Sequence, residues 1–295
     1  MTTDTPSYKQ VHGGRPALPD FAMVLDRECR KIWTDFDGGR MVWRVWGEGH
    51  TLILLHGAYG SWLHWIRQVQ PLARRFQLVL PDMPGFGESD GIRSDTMDPL
   101  VTALSSGLDQ IGLPARFGLG AFSFGCRPAA RLLHDWHEHI DQLFLFGTSA
   151  FGRADQAPRL QRWQELDEIG RVAAHRHNLR TFMLHDPNAA TDEVVAIQSY
   201  NAVHARYPAY RLYPSVNVEQ LLAERPVQLT FAWGSEDVLY RNHLETSRQT
   251  IAALYPAARA YKVDGAGHWL QMERPDDVNR IFLQTDLHGG NGYYE

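Results

Sequence analysis

The chain has 295 residues, 44% of them hydrophobic, with two cysteines and a formal net charge of −5. That balance leaves no basic footprint for nucleic acid, the cysteines make no disulfide framework, and no apolar run reaches the ~20 residues of a spanning helix. The first residues have neither the positive start nor the apolar core of a signal peptide, so a soluble cytoplasmic protein is expected, of a length common for one α/β core with an insertion, with oligomerisation left open.

In chain order, residues 1–25 carry Pro and Gly with little periodicity and are read as a terminal arm. Strands are predicted at Lys31–Phe36 and Met41–Trp46, joined by the hairpin signal Asp37-Gly38-Gly39, and at Thr51–Leu55. A helix is predicted over Trp62–Phe76, a strand at Gln77–Leu80, and a helix over Asp98–Ile111 ending at Gly112-Leu-Pro114. A strand at Ala115–Leu119 precedes Ser123, a helix follows at Arg127–Trp136, and a buried strand at Gln142–Phe146. Alternating strands and helices imply an α/β fold with a mostly parallel sheet and right-handed crossovers. From 153 to 225 no strand is predicted, only helical stretches (Arg159–His175, Asn178–Leu184, Thr191–Arg206). The α/β pattern resumes with Val227–Trp233, Arg241–Leu254, Ala258–Val263 and Asp276–Leu287. The expected organisation is an arm (1–25), a core from two pieces (26–152 and 226–288), a helical cap (153–225) and a tail (289–295).

The sharpest chemical signal is Ser123, set in Gly118-Leu-Gly-Ala-Phe-Ser-Phe-Gly-Cys126 between a strand and a helix. A serine at so tight a turn projects its hydroxyl clear of the sheet and needs small neighbours, here Ala121 and Gly125. Ala121 stands where a Gly-x-Ser-x-Gly pattern has its first glycine. Three other apolar runs end in chemistry-bearing loops: Leu52-Ile-Leu-Leu-His-Gly57, Val227 to Glu236-Asp237, and Val263-Asp-Gly-Ala-Gly-His-Trp269. The order serine, acid, histidine resembles the α/β-hydrolase family from about residue 33 to 287. Pro81-Asp-Met-Pro-Gly-Phe-Gly-Glu-Ser89 and Met272-Glu-Arg-Pro275 resemble connectors of that family.

The resemblance implies a catalytic triad of Ser123, Asp237 and His268, in which the histidine activates the serine and the acid fixes the histidine's tautomer. Glu236 is the rival acid, but Asp237 has the family's spacing from Gly234. The backbone N–H groups of Ala58 and Phe124 are expected to form the oxyanion hole. Tyr59, Phe122 and Trp269, adjacent to catalytic elements, are expected to wall a pocket for an apolar or aromatic acyl group. His56 and Asp82 are read as structural, and His134, His137 and His139 as a solvated helix end rather than a metal site. No cofactor is expected, since no Gly-x-Gly-x-x-Gly follows the first strand.

The serine separates the chain from family members that attack with aspartate. The expected reaction is hydrolysis of a small carboxylic ester through an acyl-enzyme. The alternative is carbon–carbon bond hydrolysis of ring-cleavage products by the same triad, which His268-Trp269 and the cap also resemble. Those enzymes place Asn where Phe122 stands and an Arg in the cap, for which Arg176, Arg180 and Arg206 are candidates. A perhydrolase or haloperoxidase-like side activity would use the same triad, and a non-catalytic ligand-binding homologue is the alternative of another class.

Overall fold

The computed structural model describes residues 17–92, 94–149, 155–207, 209 and 216–285. The first sixteen residues of the expected arm, the start of the expected cap at 153 and the tail 289–295 lie outside them.

Eight strands form where apolar runs lie between turn residues: β1 (Arg30–Phe36), β2 (Gly39–Trp46), β3 (His50–Leu55), β4 (Phe76–Pro81), β5 (Phe117–Phe122), β6 (Ile140–Phe146), β7 (Gln228–Gly234) and β8 (Arg259–Val263). They make one sheet in the order β1-β2-β4-β3-β5-β6-β7-β8. Only β1 with β2 and β2 with β4 run antiparallel. The hairpin between β1 and β2 turns at Gly38, whose φ of +97° is a region that glycine enters without strain.

The two-residue period of the strands splits their side chains between two cores. Ile53 and Leu55 face one side, with helices α3 (Asp98–Ile111), α4 (Cys126–Trp136), α7 (Val218–Glu224) and α8 (Leu244–Leu254). Leu52 and Leu54 face the other, with α1 (Asp20–Glu28), α2 (Ile66–Ala73) and α10 (Pro275–Leu283). Helix α3 occupies the range read from the sequence and ends at Gly112, which adopts the left-handed cap conformation.

Other elements differ from the reading. Residues 20–28 are helical, so the stretch read as an arm contains the start of α1. The single helix read over Trp62–Phe76 opens as a 3-10 turn (Trp62–Trp65), because Ser61 caps it by accepting the Leu63 N–H. Residues 159–163 take no regular structure. Helix α5 (Glu168–Asn178) starts later, where the Asp167 carboxylate accepts the Gly170 N–H. It runs into a π turn, Leu179–Met183, and α6 (Asp192–His204) follows, capped by Thr191. Helix α7 buries Val218 and Leu222 with the α4 side of the sheet, so the end of the stretch read as a cap (153–225) packs on the core. The last helix, read over Asp276–Leu287, is α10 and ends at Leu283, and a short helix that was not predicted, α9 (Leu270–Glu273), precedes it.

Candidate active site

Ser123, Asp237 and His268 come together at the carboxyl edge of the sheet, each carried by a loop that follows a strand. Ser123 begins the turn between β5 and α4, with φ of +51°. Among the described residues only Tyr59 is another non-glycine with positive φ, also +51°. Side chains rarely adopt this conformation, and its appearance at two loops flanking one site marks stored strain. Gly125 is required two residues on, since a Cβ there would lie 2.5 Å from the His56 carbonyl oxygen. Gly234 is equally constrained: a Cβ would meet the Ala266 and Gly267 carbonyls at 2.2 Å, so its absence lets the acid and histidine loops close on each other.

Asp237 is fully buried and accepts hydrogen bonds from the Leu239 N–H (3.0 Å) and from His268 Nδ1 (2.7 Å). A carboxylate can only accept here, so the imidazole carries its proton on Nδ1. Nε2 is left to accept the Ser123 hydroxyl at 2.9 Å. This arrangement can draw the proton from an attacking hydroxyl and stabilise the imidazolium that forms. Glu236 does not reach the imidazole; its carboxylate accepts from the Ser235 hydroxyl instead.

The loop after β3 is held by two buried histidines. His56 donates from Nδ1 to the Gly57 carbonyl (2.8 Å) and accepts the Met83 N–H at Nε2 (3.0 Å), while burial lowers its pKa to about 4. It is neutral and bracing, as its reading as a structural residue expects. His64 accepts the Gly57 N–H (3.1 Å), and burial followed by the nearby His56 and His268 holds its pKa well below the usual histidine value. The next amide, that of Ala58, makes no hydrogen bond among the described residues. Phe124 N–H follows Ser123 at the mouth of α4, whose first turn concentrates positive backbone charge.

The three residues expected to wall a pocket separate. Tyr59 is 37% exposed at the mouth. Phe122 and Trp269 are sealed in the core beneath it, because their rings pack together with His64 and leave no face toward solvent. Phe122 instead supports the His268 ring at 5.1 Å. From above, Phe182 lies against His268 at 5.2 Å, and Tyr240 at 6.3 Å. Neither was found by sequence reasoning; a lone aromatic in a helical stretch carries no signal of which way it points.

Residues between α5 and the end of α6 bind the loops that carry the site. The Trp269 N–H donates to the Met183 carbonyl (2.7 Å), and Ser61 to the Asn201 side chain (2.6 Å). Arg206 N–H donates to Gly85 (2.7 Å). Glu273 accepts the N–H groups of Gly267, His185 and Asp186. The three candidate arginines point elsewhere: Arg176 to Ala190 and Asp192, Arg180 to the Pro187 carbonyl, Arg206 to the Gly87, Ser89 and His204 carbonyls. His134 contacts Asp135, and His139 the Ala115 carbonyl, and among the described residues no three His, Cys, Asp or Glu side chains converge as metal ligands would. No helix among those residues is long and apolar enough to cross a membrane.

Residues 52–281 match the model of the Alpha/beta hydrolase family. A 2-hydroxy-6-oxo-6-phenylhexa-2,4-dienoate hydrolase of Burkholderia cepacia is 26% identical over 261 residues, covering 82% of this chain and 90% of that protein. Among solved structures, the carboxylesterase CesB of Bacillus subtilis superposes with a TM-score of 0.71 at 20% identity, covering 92% of this chain and 98% of that one. The meta-cleavage product hydrolase CumD of Pseudomonas fluorescens IP01 gives 0.71 at 21% identity, covering 88% and 97%.

Proposed function

Since this chain belongs to the alpha/beta hydrolase family and is a hydrolase, we propose that it cleaves a small carboxylic ester with an apolar or aromatic acyl group through a Ser123 acyl-enzyme. The observation that carries the reading is the unbroken chain Ser123–His268–Asp237, at 2.9 and 2.7 Å. In the first step His268 Nε2 takes the hydroxyl proton as Oγ attacks the ester carbonyl. Asp237 steadies the imidazolium, and the Ala58 and Phe124 N–H groups receive the oxyanion. The imidazolium then protonates the leaving alcohol. Water, deprotonated by His268, releases the acid and restores the serine.

Phe182 lies against His268 and the Met183 carbonyl accepts the Trp269 N–H; this supports reading segment 179–207 as a cover over Ser123, which favours compact acyl groups over long chains. The test is turnover of p-nitrophenyl esters of increasing acyl length, with Ser123→Ala as control. Short and aromatic esters should be cleaved faster than long-chain ones; a rate that climbs with chain length points to a lipase.

A second reading is favoured by the likeness to the dienoate hydrolase of Burkholderia cepacia: carbon–carbon cleavage of a ring-fission product by the same triad. Against it stand Phe122 in place of a polar amide and cap arginines committed to neighbouring backbone. Assaying 2-hydroxy-6-oxo-6-phenylhexa-2,4-dienoate beside p-nitrophenyl acetate separates the two by the ratio of kcat/KM. Retention of the melting temperature shift by ligands with no turnover of either substrate would mark a binding protein.

A further inference from the structure

Resting on the reading of Ser123 as nucleophile and Ala58 as oxyanion donor, we infer that His64 is a positioning residue, which sets the oxyanion loop in register with the nucleophile and the catalytic histidine.

Three separate contacts converge on this one side chain and its backbone. Its Nδ1 accepts the N–H of Gly57, the residue immediately before Ala58. Its ring lies edge-on to Phe122, the residue immediately before Ser123, with centroids 5.4 Å apart. Its carbonyl accepts Trp269 Nε1 at 3.0 Å and its ring meets the Trp269 ring at 5.0 Å, and Trp269 immediately follows His268. His64 thus touches the sequence neighbours of Ala58, Ser123 and His268, while no hydrogen bond or ring contact among the described residues joins it to those three themselves. It is 1% exposed and fills the hollow beside Gly60, where a Cβ would lie 2.3 Å from its ring.

The hydrogen bond to Gly57 has a direct geometric effect. By taking the Gly57 N–H, His64 fixes the peptide plane before Ala58. The Ala58 N–H is then one of the amides of that loop without a partner among the described residues. Tyr59, one residue further on, is held at φ of +51°. A backbone in that conformation relaxes unless neighbours over-determine it, and His64 is one of the restraints. An oxyanion donor loses much of its effect when displaced by about 1 Å, so loosening the loop costs rate rather than affinity.

The experiment compares His64→Leu, His64→Asn and His64→Gln in the full chain. Kinetics on p-nitrophenyl acetate, melting temperature and the rate of fluorophosphonate labelling of Ser123 are measured for each. Leu fills the space but accepts nothing. Asn can place its Oδ1 where Nδ1 stands, whereas the longer Gln cannot without displacing Phe122 or Trp269. The expected result is a kcat lowered on the order of 10- to 100-fold in the Leu and Gln variants, with KM within about threefold of wild type. Labelling should slow in parallel, and Asn should recover most of the rate. If Leu does not fold, the contrast between Asn and Gln gives the same answer. Folded variants that all keep the wild-type kcat, or an Asn variant as slow as Gln, overturn the inference while leaving the proposed function standing. A wild-type protein whose Ser123 does not label overturns the proposed function, and the positioning role with it.

Discussion

Two buried aspartates each follow a strand of the same sheet and have different fates. Asp82 follows β4 and Asp237 follows β7, and each is wholly excluded from solvent. Asp82 accepts from Arg44 Nη1 (2.9 Å), from the Trp62 N–H (2.9 Å) and from the Glu88 N–H (3.0 Å). Burial works against the Arg44 charge, but Asp82, Glu88 and Asp26 outweigh it and raise its pKa, so the partner of Asp82 is a permanent cation. Asp237 has the same two kinds of support, one side chain and one backbone amide, but its side-chain partner is an imidazole. A guanidinium never releases its proton in a protein, whereas an imidazole does so near neutrality. A permanent cation thus makes Asp82 a structural rivet, whereas an imidazole partner suits Asp237 to the proposed role of anchoring a proton relay.

The comparison can be broken at several points. The largest effect belongs at the far end of the relay. Ser123→Ala should lower ester turnover by on the order of 10⁴- to 10⁶-fold, measured after active-site titration of the wild-type standard. Asp237→Asn should leave the fold intact and reduce kcat by roughly 10⁴-fold, because the amide favours the wrong imidazole tautomer. Circular dichroism and steady-state kinetics on the same sample check both halves.

Asp82→Asn should behave in the reverse manner. It removes one of three carboxylates on buried Arg44 while Asp26 and Glu88 stay in place, so equilibrium denaturation should register a loss of about 1–3 kcal/mol, with the kcat of the folded fraction within a few-fold of wild type. A kcat collapse in this variant without a stability change would erase the distinction between the two aspartates.

Stability should also respond to acid through His56. Its folded pKa of about 4 lies below the value near 6.5 of the unfolded chain, with burial the main cause. Above pH 6.5 the group is neutral in both states and has no effect. As the pH falls from 6.5 toward 4 the unfolded chain binds a proton that the folded chain refuses, and stability drops across that window by about 3 kcal/mol at most. Buried His64 and His175, whose pKa values are also lowered by burial, act in the same direction. Denaturant midpoints measured from pH 7 to pH 4 for wild type and His56→Asn should converge at the acid end. The smallest effect is Glu236→Gln, whose kcat should stay within about twofold of wild type.

The strands and Ser123, Asp237 and His268 were legible because apolar runs with turn residues at their ends write both element and site into a short local stretch. Asp237 could be told from Glu236 only by its distance from Gly234, and the geometry places that carboxylate, not its neighbour, on the imidazole. What escaped was decided by partners distant in sequence. Helix α1 buries only Ala22 and Leu25, too few apolar positions to make a period. The irregular stretch before α5 carries helix-forming residues, but Asp167 supplies a better start. Phe122 and Trp269 were read as pocket walls because they adjoin reacting residues. Neighbours in sequence on a strand or tight turn point to opposite sides, and these rings turn into the core. His64 was passed over, although its setting between Leu63 and Trp65 is a fair signal of a buried imidazole.

The positive φ of Ser123 has a consequence for how far this protein can be stabilised. A glycine at that position enters the left-handed region without a Cβ penalty, whereas alanine keeps it, so Ser123→Gly should melt above Ser123→Ala even though both are inert. The most active sequence at this position is then not the most durable one. Selection for thermal robustness alone, in a library with no activity screen, would drift toward glycine at residue 123 and erase the proposed nucleophile. Any programme that hardens this scaffold has to hold that one backbone conformation fixed and look for its gains elsewhere.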